Sequence, residues 1–582
     1  MTGMSDRTDV IVAAFKSGSF LETVNALLQA DRDERDGLSL ELATLHNNGL
    51  IDVVAGFQNL KNQPSGFDFF LARQLFEKAL PHLNAPVPAV MRLVLRLYRD
   101  AGQDLMAGSI FEGFISFCAK VESRSRDALK EIEVDPDTFA DFLPPVLVAG
   151  SCIDKPHYLA EAIRLCDDKN IELRRRAVYA IGRLNWLEGA LVPDSAFAAL
   201  ERAVNAESDD EILAAVVKST FDLWMRDKSD DDRAATLIAS TLSKGGDYTR
   251  NAVFEVFGFY ASEIPPSLIN SLLPHLAHVK PENKGTVRNI DFGISRLLTK
   301  SDTDSAIRIL EDLLLAHPAE LAFKDFGSTA AEIQSNKALL NKVLTRWFLR
   351  GDRVLCEGIE SMAGAHYGNN LKLEIDPVEL KPADRVRVMF VAHKAIGYLF
   401  FEPVSAASVL ISLMRHAAND ELLKELAQLL INPLLLNFAG STREYVAQQA
   451  ALASGKIKET LEDSLKAIEK YLDALRSVGT LPALHPSEAQ REAYQRNFSR
   501  MMTESYKTAQ VQSPLLSLIP KSILLYGRKS IDYIYNAEGQ SQRMETDLKS
   551  QGIQIEFPRL EQVDPYGLDY MLRVFRVERF RA

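Results

Sequence analysis

The sequence predicts a mostly α-helical protein, an α-α superhelix (solenoid), that closes with a small α/β or β-rich C-terminal domain. Three observations predict it. Apolar residues recur at three- and four-residue spacing along most of the 582 residues, the mark of helices with one buried face. A similar helix returns at offsets of 39, 36 and 38 residues, through Ala177, Val216, Ala252 and Ile290. Residues 513–582 then change to alternating and β-branched patterns, which suit strands better than helices.

Composition sets outer limits. Hydrophobic residues are 47% of the chain and charged residues 25%, enough to build ordinary cores and unlike a disordered tail, collagen or a disulfide miniprotein. The net charge of -12, from 67 basic and 79 acidic side chains, opposes general attraction to nucleic acid or anionic lipid. The four cysteines, Cys118, Cys152, Cys166 and Cys356, form no C-x-x-C pair, and reduced, buried thiols are expected. Met1 to Phe20 carries Asp6, Arg7 and Asp9 and lacks the apolar run of a signal peptide. The most apolar stretch, Ala395 to Met414, has Glu402 and Pro403 at its middle. Two short buried helices meeting at that proline are expected there, without membrane insertion. A cytoplasmic location follows as the expectation.

Residues 1–155 read as an N-terminal helical region. Phe69, Phe70, Leu75, Phe76, Ala79 and Leu80 share one helical face, and Pro81 stops it. Breaks such as Asn84-Ala85-Pro86 separate successive helices. Residues 156–320 hold the repeats. The helix at 172–187 matches those at 211–226, 249–261 and 287–298, and each follows a shorter apolar helix. Stacked helix pairs of this kind bury a continuous core and leave one long wall for extended partners. The unit resembles a HEAT repeat, clearest over 159–299, in its length and in the basic residues Arg174, Arg175, Arg176, Arg250 and Arg288 that open the second helix. The resemblance implies arginines that tie neighbouring repeats together through acidic partners, and it implies no activity. The second unit departs from it, with Ala214 at that place.

Residues 321–480 continue the helical pattern through 336–350, 353–363, 404–415 and 420–438. The alternation of Leu371, Leu373 and Ile375 with Lys372 and Glu374 suggests a short strand. Leu461, Leu465, Ile468, Leu472 and Leu475 make a coiled-coil-like seam over 456–476, expected to pack on the chain's own next helix. Residues 481–512 form a connecting helix opened by the capping box Ser487-Glu488-Ala489-Gln490. Within 513–582 the reading is a strand over 522–535, a turn at 536–539, a helix near 541–550, and strands at 553–557 and 567–580.

The search for chemistry returns no catalytic, cofactor or metal motif. His275 and His278 stand at i, i+3 without a third ligand at a recognised spacing. Gly455-Lys456 lacks the first glycine and the hydroxyl of a phosphate loop. The acidic runs 207–211 and 230–232 read as helix caps. Two clusters remain as candidate partner-binding sites. Arg174, Arg175 and Arg176 with Arg183 have the chemistry for phosphate, although pairing with Asp167, Asp168 or the next repeat is the simpler reading. Tyr570, Arg573, Arg576 and Arg579 interleave cations with aromatics, as stacking or docking surfaces do.

The expectation is a non-catalytic scaffold or adaptor, part of a multi-protein complex. It would bind one or more proteins through the helical surface and dock another through the C-terminal segment, by strand addition. The alternatives are a nucleic-acid-binding protein using the arginine clusters, and an enzyme with a site where the array meets the C-terminal domain.

Overall fold

A computed structural model describes residues 2–30, 35–62, 69–102, 104, 106–187, 191–228, 231–300, 302–364, 371–479, 486–512, 522–524, 529–535, 541–547 and 558–580. The chain is mostly helical and divides into two units, residues 1–339 and 340–582.

In the first unit the helices form two layers, an arrangement compatible with an α-solenoid. One layer is the succession Ile110–Ala119, Leu143–Ser151, Ile171–Arg183, Asp210–Arg226, Asp247–Tyr260, Lys284–Thr299 and Gly327–Ser335, each packed on the next. The other contains Lys155–Leu165, Asp194–Ala206, Asp231–Lys244 and Pro266–Leu272, again packed in order. Each helix is short enough to need its neighbours. The 210–226 helix buries Ile212, Val216, Phe221, Leu223 and Trp224 between them, and that burial holds it more than its own propensity. Starts are fixed by side-chain caps. Asn170 accepts from the N–H groups of Glu172 and Leu173, and Asp209 from those of Glu211 and Ile212. The acidic run at 207–211 therefore caps, as its sequence suggests.

Neighbouring pairs are tied by polar contacts with a common sequence separation. Arg176 donates to Asp141 across 35 residues, Arg174 to Glu207 across 33, Thr249 to Asp210 across 39 and Thr329 to Asp291 across 38. The same interval appears at Arg7 and Glu41, 34 apart, well before the repeats are visible in the sequence. It reappears inside the second unit at Arg385 and Glu425, 40 apart, and at Lys456 and Asp420, 36 apart.

The second unit contains the two helices expected around Pro403, Arg385–Leu399 and Pro403–Met414, both largely buried. No helix among the described residues is long and apolar enough to cross a membrane. Helix Gly455–Ser477 buries Leu461, Ile468 and Leu472 against the preceding helices 420–429 and 441–452 of its own chain, which corrects the expected packing on the next helix. Ser487 and Gln490 form the expected capping box, the Ser487 N–H donating to Gln490 Oε1 at 2.9 Å and the Gln490 N–H to Ser487 Oγ at 3.3 Å.

The segment 371–376 is extended but joins no sheet. Its alternate N–H groups go to two helices instead. Leu373 and Ile375 donate to the hydroxyls of Ser408 and Ser412 at 2.8 and 2.9 Å. Glu374 and Asp376 donate to Asn341 and Thr345 at 3.2 and 2.8 Å. Two residues of extended chain rise roughly 6.6 Å and four residues of helix roughly 6 Å. The two periods match, so helix side chains stand in for neighbouring strands.

The C-terminal residues differ most from expectation. Strands β1 (Ser522–Leu524), β2 (Lys529–Tyr535) and β3 (Ser541–Asp547) form one antiparallel sheet in that order. The helix expected near 541–550 is thus strand β3 over its described part, because Ser541 to Asp547 pairs in full with Tyr535 to Lys529. Such pairing overrides a weak local preference. The turn 536–539 and the strand 553–557 lie outside the described residues. The strand expected at 567–580 is instead helix Pro565–Val577. Pro565 and the Asp564 side chain, which accepts the Gly567 N–H at 2.9 Å, start it. Leu568 and Leu572, one turn apart, are its buried face, and the helix packs on 385–399. A strand-built domain over 513–582 is therefore corrected to a small sheet and a docked helix.

Candidate functional site

The first unit carries a groove of about 1130 Å³ along the 110–119, 143–151, 171–183, 210–226 and 247–260 helices. Its floor depends on how closely two of these helices approach. A Cβ on Gly182 would stand 2.6 Å from the Ser219 Cα, so only glycine permits the crossing. Ser219 Oγ fixes it by donating to the Val178 carbonyl at 2.6 Å and accepting the Gly182 N–H at 3.3 Å.

That crossing brings Arg183 to Asp222, with Nε to Oδ2 at 3.8 Å, too long for a hydrogen bond. The Arg183 guanidinium lies over the Tyr179 ring, 4.4 Å from its centroid. Its side chain keeps 52% of its surface exposed. Lys218, Asp222 and Arg226 follow at i, i+4 and i+8 on one helix and all line the groove. Lys218 pairs with Glu255 at 3.1 Å. Arg226 is exposed and reaches Asp222, one turn back, through its charge and not through a hydrogen bond. Burial raises the Asp222 carboxyl above its ordinary value, against the pull of Arg183, Arg226 and Lys218. Burial likewise raises the Tyr179 phenol.

The other cations of the groove are engaged. Arg175 pairs with Glu172 and Glu211, and Arg176 with Asp141 through Nε at 3.0 Å. Both are candidates from the sequence, and both line the groove. Arg174 does not. It donates to Glu207 at 2.6 Å and to the Asp168 carbonyl at 2.9 Å, and so ties one repeat to the next. The Tyr248 side chain reaches the groove 62% exposed, and Tyr98 and Phe111 add aromatic surface.

The second cluster belongs to the other unit and divides by function. Tyr570, 72% exposed, stands on the outward face of the 565–577 helix with Tyr566, Val574 and Val577. Arg573 pairs with Asp569 one turn back at 3.0 Å, and Arg579 is exposed. Arg576 faces inward instead. Its Nε donates to the Gly397 carbonyl at 2.5 Å, and its guanidinium lies 5.5 Å from the Tyr398 ring centroid. It is a docking contact within the unit.

Beneath it, Lys394 is fully buried and donates to the carbonyls of Arg576 and Glu578 at 2.6 and 2.7 Å. It thereby caps the C-terminal end of the 565–577 helix, where carbonyls lack helical partners. His393 completes the latch, stacked on Phe575 at 4.5 Å and 2.8 Å from Glu578 Oε2.

Three of the four cysteines are buried, and burial pushes the thiols of Cys118, Cys166 and Cys356 up to about 12. Cys152 corrects the expectation of buried thiols, because it follows the C-terminus of the 143–151 helix and is exposed. His275 and His278 stand with ring centroids 6.4 Å apart. Among the described residues no group of three or more His, Cys, Asp or Glu suits a metal ion.

Arg226, Lys218, Asp222 and Tyr179 were not singled out by the sequence. One signal for Asp222 was present: the 39-residue offset of the repeat places it opposite Arg183. No known family profile matches the chain, and no curated protein matches its sequence.

Proposed function

We propose that this protein is a non-catalytic scaffold or adaptor of the HEAT-like α-solenoid kind, and that its first unit holds a segment of a protein partner in the groove between 98 and 252. The observation that carries the reading is the groove itself, which crosses five successive helices and offers aromatic surface beside two weakly engaged arginines. Specific protein contacts favour such a mixture of aromatic and arginine anchors. The ties of Arg174, Arg175 and Arg176 to acids 33–36 residues away support the HEAT likeness. The same ties weigh against nucleic acid, since a cation held by a carboxylate has little left for phosphate. The outward face of Tyr566, Tyr570, Val574 and Val577 is the surface we assign to a second partner contact. Free thiols fit a reducing, cytoplasmic setting.

The test is affinity capture from the native host at low and high salt, with the wild-type chain and a Tyr248→Ala, Arg226→Glu variant. Proteins held by the wild type at high salt and lost by the variant are the expected result. Nucleic acid recovered at low salt, with no protein that depends on these two residues, contradicts the reading.

A further inference from the structure

We infer that the groove takes an extended acidic peptide segment, whose carboxylates engage Arg183 and Arg226; the inference rests on the partner-binding reading above and names the chemistry of the partner. The groove's cations are of two kinds. Arg175, Arg176 and Lys218 are each committed to a carboxylate of the chain. Arg183 and Arg226 are not. Arg183 meets Asp222 only at 3.8 Å, beyond hydrogen-bond length, and Arg226 acts on the same Asp222 through its charge without a hydrogen bond to a described residue. Both are exposed on the groove wall.

The two form one site. Arg226 stands one turn beyond Asp222 on the same helix face, and Asp222 is the residue Arg183 approaches. The Tyr179 ring supports the Arg183 guanidinium, 4.4 Å from its centroid. A guanidinium held this way loses less freedom when its fork accepts a carboxylate. Asp222 is a poor standing partner, because it is half-buried and its charged form is disfavoured there. An incoming carboxylate keeps more of its water and can reach bidentate geometry that Asp222 does not.

Two other occupants fit less well. A nucleic acid strand carries a phosphate at every step, and two cations that are not hydrogen-bonded to a carboxylate are too few to follow such a backbone. A basic peptide would find Asp141 and Glu211 already taken by arginines and would meet Arg183 and Arg226 head on.

The experiment is a peptide array of random decamers graded by charge, probed with the full-length protein, with a labelled single-stranded oligonucleotide measured beside it by anisotropy. Retention should rise with Asp and Glu content. Peptides recovered from the array should lose about tenfold in affinity for Arg183→Gln and again for Arg226→Gln. Asp222→Asn should bind them more tightly, because it removes the competing carboxylate, and a residue that only shaped the fold would not do this. Thermal melts of the variants check that each is folded. Retention that is independent of charge or rises with Lys and Arg, oligonucleotide binding that depends on the two arginines, or variants that bind unchanged would each overturn the inference. If the array fails while the Tyr248 and Arg226 variant still loses its protein partner in the capture experiment, the acidic specificity is wrong and the groove remains the binding site.

Discussion

Replacing Lys394 with methionine keeps the length of a stem packed near Phe390 and Gly351 and removes only the ammonium. Two carbonyls, of Arg576 and Glu578, then lose donors at 2.6 and 2.7 Å in a place where the lysine has no exposed surface. Leaving two partly buried acceptors unpaired costs at most ~1–3 kcal/mol each. Against this, methionine removes the cost of burying an ammonium, which is several kcal/mol in effect for a charge moved out of water. Two neutral acceptors remain rather than an opposite charge, so the loss does not reach the ~3–5 kcal/mol of a broken buried ion pair. A net loss of about 2 kcal/mol is expected, confined to the docking of the 565–577 helix. Hydrogen exchange reads this directly: protection of that helix should fall roughly 30-fold, while helix 171–183 keeps its rate. Equal acceleration in both helices would show that Lys394 supports global folding and not a local latch. Unchanged protection would show that its two hydrogen bonds contribute nothing net.

Three further outcomes follow from single contacts. Gly182→Ala should cost ~1–3 kcal/mol in thermal unfolding of the first unit by forcing the helices at Ser219 apart, whereas Gly108→Ala, with no atom within 4 Å of its Cβ, serves as a near-neutral control. Burial pushes the Asp210 carboxyl up, but the Thr249 hydroxyl and the N–H groups of Tyr248, Gly246 and Thr249 bring it below 3.8. Its contribution is therefore present above 3.8 and lost as pH falls through the lowered folded value. The melting difference between wild type and Asp210→Asn should accordingly be full at neutral pH and vanish in strong acid; a difference that persists there refutes the assignment. Iodoacetamide on the native protein should label Cys152 alone, since the other three thiols are buried and pushed up to about 12. Peptide mapping that finds Cys118 labelled as fast as Cys152 would contradict it.

The helical class and the repeat were legible because a 3.6-residue period and a near-forty-residue offset survive in a single sequence. What stayed hidden has specific causes. Contacts at a similar interval join Arg7 to Glu41 and Lys456 to Asp420, but these are polar ties, and polar residues are interchangeable to the eye. The segment 371–376 shows a strand's alternation because its backbone is extended. Its partners, Ser408, Ser412, Asn341 and Thr345, sit on helices, and no local pattern reveals that. At 567–580 the apparent alternation is too short to separate a period of 2 from one of 3.6, and the Asp564-Pro565 start signal decides it. Arg174 to Arg176 were visible as a cluster, but their acids stand in neighbouring repeats. The proposed pair Arg183 and Arg226 is set apart by the hydrogen-bonded carboxylates that neighbouring cations have and these two do not, which a sequence does not display.

The most direct test of the central claim is photo-crosslinking from the groove in the native host. A benzophenone side chain replaces Tyr248, which is 62% exposed in the groove, and, as a control, Val134, which is 84% exposed outside it. Discrete protein adducts from position 248 and none of the same from position 134 are the predicted result. Equal adducts from both positions, or none from position 248 in cells where the partner-dependent capture succeeds, would contradict binding in the groove.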